Sequence, residues 1–109
     1  MAYSKPLADD VRMRIGRHSG VTEREMFGGI GFMVEGNMAV GVSDDELMVR
    51  VGKDAYEEAL SRPGVHPFDM SGREMKGWIL VSAAGLQTDA ALDSWIEQGV
   101  AFAGSLPPK

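Results

Sequence analysis

His18 and His66 are the side chains here of the type that most often serves as a general acid or base. Proton-transfer or nucleophilic chemistry would need a hydroxyl or carboxylate at a spacing that builds a nucleophile–base pair. His18 stands in a helix-end loop and His66 beside Pro67, and neither has such a neighbour, so both read as ordinary loop or surface residues. With two histidines and no cysteine, a transition-metal site is not expected. Asp44-Asp45-Glu46 lacks the alternating oxygens and the glycine of a calcium loop and reads as a solvated turn. Gly28-Gly29-Ile30-Gly31 could hold a phosphate only between a preceding strand and a following helix, and here a strand follows. Gly31 to Gly36 has the outer spacing of a phosphate loop, but Asn37-Met38 stand where Lys and Ser or Thr are required. No catalytic residue, cofactor or metal is assigned, and no enzyme is expected.

Binding chemistry is better represented. Eight methionines offer side chains that adapt to irregular surfaces as readily as they fill cores, and core filling is the expected use. Trp78 and Trp95 would be binding anchors if exposed, but their alternating and helical settings place both in the core. The net charge of −5 opposes binding to a phosphate backbone, so direct DNA binding is not expected. Residues 1–20 depart from this balance, with Lys5, Arg12, Arg14 and Arg17 against Asp9 and Asp10, which makes the first helix the place for a basic face.

The elements that must position these residues follow from periodicity. Pro6 suits a first helical turn, and Leu7, Val11 and Ile15 recur every four residues. Ile30 to Val34, Met38 to Val42 and Leu47 to Val51 are short apolar runs broken at Glu35-Gly36-Asn37 and at Ser43 to Glu46, which predicts an antiparallel meander. By strict alternation Ile30, Phe32, Val34, Met38, Val40, Val42, Leu47, Val49 and Val51 form one apolar face. Gly31, Met33, Asn37, Ala39, Gly41, Met48 and Arg50 form the other. Asp54 with Glu57 reads as a capping box for a second helix, Val65 to Met70 and Met75 to Ala83 as a hairpin, and Thr88 or Asp89 as the cap of a last helix bearing Leu92, Trp95, Ile96, Gly99, Val100 and Ala103.

The order is helix, three strands, helix, two strands, helix: a single α+β domain over residues 1–109, its tail from 105 onward frayed. At 109 residues one core is expected. The absence of cysteine suits a reducing cytoplasm, and neither a signal peptide nor a run of about 20 apolar residues for a membrane span is seen.

Arg24-Glu25-Met26-Phe27-Gly28-Gly29-Ile30-Gly31-Phe32-Met33, continued by Gly36-Asn37-Met38-Ala39-Val40 and Glu46-Leu47-Met48-Val49-Arg50-Val51, resembles the N-terminal domain of the TfoX (Sxy) family of competence regulators. The resemblance covers nearly the whole chain. It implies a fold like that of type III secretion chaperones and a non-enzymatic role. The partner it implies is protein: the transcription machinery or the cyclic-AMP receptor protein. Full-length regulators carry a second, C-terminal helical domain, so a stand-alone N-terminal domain is expected. Arg24, Met26, Phe27, Gly28, Gly29 and Gly31 form the family motif, read as structural, with Phe27 expected to be buried. Met33, Met48 and Arg50 are the candidate partner or dimer face. Two other uses stay open: a chaperone-like homodimer that holds another polypeptide, and a small-molecule binder or enzyme.

Overall fold

A computed structural model describes residues 3–18, 20–26, 29–70 and 73–107. Helix α1 (Lys5–Ile15) opens at Ser4, whose hydroxyl oxygen accepts the amide of Leu7, and Pro6 sits in its first turn as expected. Four strands follow: β1 (Val21–Met26), β2 (Gly29–Val34), β3 (Asn37–Ser43) and β4 (Glu46–Arg50). Between β2 and β3, Glu35 and Gly36 both take positive φ, 53° and 84°, the two-residue hairpin geometry whose twist matches that of the strands. Then come α2 (Lys53–Leu60), β5 (Val65–Met70), β6 (Arg73–Val81), a 3-10 turn at Ala83–Gly85, and α3 (Asp89–Gly104). Thr88 caps α3, its Oγ1 accepting the amide of Ala91 at 3.0 Å.

The strands form one antiparallel sheet in the order β1-β2-β3-β4-β6-β5. It has six strands where five are expected, because Val21–Met26 lies at an edge with charged residues along it and shows none of the apolar alternation that marks a half-buried strand. Helix α2 also departs from expectation. It starts at Lys53 after Gly52, with no side-chain cap, and Asp54 falls in the first turn instead of capping it. Gly52 is required there: its φ is 86°, and a Cβ would lie 2.5 Å from Phe102 Cε1. The tail expected to fray is tied at its start, since the Leu106 amide bonds Ala103 O and Asn37 Nδ2 donates to Pro107 O at 2.9 Å.

All three helices feed one core on one face of the sheet. Ala8, Val11 and Ile15 of α1, Tyr56 and Ala59 of α2, and Leu92, Trp95 and Ile96 of α3 pack against Ile30, Phe32, Val40, Val42, Leu47, Val49, Ile79 and Val81. The strand residues lie in register: Ile30 opposite Val42, Val42 opposite Leu47 and Leu47 opposite Val81, with Phe32, Val40, Val49 and Ile79 beside them. Strict alternation fails at one place. A register shift between Phe32 and Met33 sets Val40 opposite Phe32 but Met38 opposite Met33, so Ala39 is the extra residue of a bulge. Ala39 turns inward to pack with Val34 and Ala103, and Asn37, 3% exposed, turns inward with it. Met38, expected in the core, is thereby moved to the opposite face.

Candidate functional site

The face of the sheet turned away from the helices is built by the same strands. Across it, Arg24 lies opposite Gly31, Gly31 opposite Gly41, Gly41 opposite Met48, Met48 opposite Leu80, and Leu80 opposite His66. Met33 and Met38 pair beside this row, and Arg50 pairs with Trp78. The core-forming residues of all three helices belong to the other face. Met33, Met38, Met48, Trp78 and Leu80 are each half-buried.

At its centre, a Cβ on Gly41 would lie 2.9 Å from Met48 Cε, 3.1 Å from Met38 Cε and 2.9 Å from Ile30 O. Gly41 is thus the floor of a shallow trough whose walls are two methionine methyl groups. Apolar side chains gathered on a sheet face without a covering layer mark an interaction surface, and methionines let such a surface repack around different partners.

Charged and aromatic groups close its ends. His66 Nε2 and Glu46 Oε2 are 2.6 Å apart at one end. At the other, the Arg50 guanidinium lies 5.1 Å from the Trp78 ring centroid and 5.4 Å from that of Phe102, within cation–π range of both. Trp78 therefore departs from its expected place in the core. Trp95 keeps its place, 4% exposed, with Arg62 4.8 Å over its ring.

Met33, Met48 and Arg50, the residues singled out in the sequence, come together on this face. Met38, Trp78 and Leu80 join them unannounced. For Met38 the cause is the bulge, which nothing in the local sequence signals. Of the motif residues, Arg24 is exposed on the outer side of β1, Met26 pairs with Gly29, and Gly31 lies between Arg24 and Gly41. Gly29 leaves no room for a side chain, since a Cβ there would lie 2.5 Å from Val42 O. Phe27 and Gly28 lie outside the described residues.

Of the basic residues expected to make a face of the first helix, Arg12 and Arg14 are held by carboxylates. Arg12 bonds Asp9 and Glu23, each at 2.7 Å, and Arg14 bonds Asp10 and Asp93 at 2.8 Å and Asp89 at 2.9 Å. The hydrogen bond from Arg12 holds the Glu23 carboxyl below its ordinary range, and Arg12 itself is raised by the same bond. The Tyr3 hydroxyl, donating to Glu25 at 3.1 Å, is raised. His18 lies 2.8 Å from Glu97. Among the described residues no three His, Asp or Glu side chains gather as metal ligands, and no helix is long and apolar enough to cross a membrane.

The family model of the TfoX N-terminal domain matches residues 14–103, a span from the last turn of α1 to the last turn of α3. No curated protein matches the chain.

Proposed function

The chain belongs to the TfoX N-terminal domain family, and from that premise we propose that it is a non-enzymatic protein-binding module serving transcriptional control, with competence as the process suggested by the family resemblance. The observation that carries this reading is the sheet's outer face, where Met33, Met38, Met48, Trp78 and Leu80 line a surface on which no helix packs its core residues. An apolar, adaptable face beside a fully packed core favours a polypeptide ligand. The partner is a component of the transcription machinery or the cyclic-AMP receptor protein, met in the cytoplasm. Duplex DNA is not the direct ligand, because the arginines of α1 are already engaged by carboxylates.

Affinity capture from the native cell with the wild-type chain and with Met48→Glu tests the reading. Recovery of polymerase or receptor subunits by the wild type and not by the variant is expected. Equal recovery by both would move the binding site elsewhere. A chaperone-like homodimer closing this face is the competing use, since the two-fold contact would bring methionine onto methionine. Light scattering separates the two, a mass near 11.8 kDa excluding the dimer.

A further inference from the structure

The chemistry of the partner can be read from one end of the outer face, if that face is the protein-binding surface proposed above. There the sheet opens into a shallow cleft of about 540 Å³ lined by Arg50, Gly52, Lys53, Lys76, Trp78 and Phe102. Arg50 and Trp78 belong to the face and the cleft alike. Asp54 also lines the cleft, leaving three cations against one carboxylate in a chain whose net charge is −5.

None of the three cations has an ion-pair partner among the described residues, whereas Arg12, Arg14 and Arg62 are each held by carboxylates. The Arg50 guanidinium is already positioned by two rings, so little rotamer freedom remains to be lost on binding. Both rings lie within cation–π range of the guanidinium, and its N–H groups suit a carboxylate.

We propose that the partner presents a segment in which a run of carboxylates adjoins a run of apolar side chains. Its carboxylates meet Arg50, Lys53 and Lys76, and its apolar side chains lie on Met38, Met48, Trp78 and Leu80. A nucleic acid fits less well: its phosphates would find the three cations, but the adjoining methionine face would contribute little and the chain's net charge would repel a polyanion. A second copy also fits less well. The carboxylate it would bring on β4 is Glu46, which is held by His66.

The test is fluorescence anisotropy with labelled nine-residue peptides in which a run of Leu is followed by a run of Glu, of Gln or of Lys, and with a single-stranded oligonucleotide. The Leu/Glu peptide is expected to bind at least tenfold more tightly than Leu/Gln, and to weaken as salt is raised. Arg50→Gln should bring it down to the Leu/Gln level. Lys53→Gln combined with Lys76→Gln, both at exposed positions, should weaken it severalfold without disturbing the fold. Met48→Glu should weaken the Leu/Glu and Leu/Gln peptides alike. Equal binding of Leu/Glu and Leu/Gln, both lost in Met48→Glu, would overturn the acidic chemistry while leaving the binding face standing. Preference for Leu/Lys or for the oligonucleotide would overturn the proposal. So would failure of every peptide to bind a chain that scatters as a dimer. Binding indifferent to both Arg50→Gln and Met48→Glu would overturn the proposal and the binding face together.

Discussion

On the inner face of the sheet Phe32 is 1% exposed and Val40, Val49 and Ile79 are fully buried, all beneath three helices. One residue along the same strands, Met33, Gly41, Met48 and Leu80 form a surface with glycine at its floor and flexible thioethers at its walls. The inner face is made of branched and aromatic side chains that fit one arrangement, and it takes up the buried apolar residues of all three helices. The outer face has the same backbone but less side-chain volume, and among the described residues the helices pack their buried side chains on the other face. Stability and recognition are thus divided between the two sides of one sheet, which is why the outer side can be changed at small cost to folding.

Truncation at the inner face should have the largest effect. Phe32→Ala empties a fully enclosed site and is expected to cost about 3–5 kcal/mol in urea unfolding. A loss below about 1 kcal/mol would mean that the helices do not pack as described. Gly99→Ala comes next. There a Cβ would lie 2.5 Å from the backbone oxygen of Ala39, which has no side-chain freedom with which to yield. A cost of about 1–3 kcal/mol is expected from overpacking, read as a lowered melting temperature.

A smaller effect belongs to the tie between α1 and β1. Glu23→Gln should cost no more than about 1 kcal/mol, because Arg12 and Glu23 are both well exposed and screened by solvent. Since Glu23 titrates lower in the folded chain than its ordinary value of 4.5, its contribution is present above that value and is lost as the pH falls through the lowered one. Melting curves of variant and wild type should therefore differ near neutral pH and converge in acid. The smallest effect is expected at the outer face, where Met48→Glu should shift stability by no more than about 0.5 kcal/mol. A loss comparable to that of Phe32→Ala would erase the distinction between the two faces.

Much of the inner face is legible in the sequence, because Ile30, Phe32, Val40, Val42, Leu47 and Val49 alternate and a buried face requires alternation. The helices are legible from Val11 and Ile15, and from Leu92, Ile96 and Thr88. The outer face is only half legible. Met33, Met48 and Arg50 follow from parity, but Met38 follows from a bulge at Ala39, where α3 packs closely on β3, and nothing in the local sequence signals it. Trp78 misleads for a related reason. An indole at an alternating position is normally buried, and here it stacks with Arg50 at the rim. Strand β1 escapes because edge strands need no apolar alternation.

Site-specific photocrosslinking in the native cell tests the division of labour most directly. A photoreactive phenylalanine is placed at position 48 on the outer face or, for comparison, at position 13, where Met13 is 63% exposed on α1. A discrete covalent adduct to another protein is expected from position 48 and none from position 13. An adduct from position 13 with position 48 silent would contradict that division.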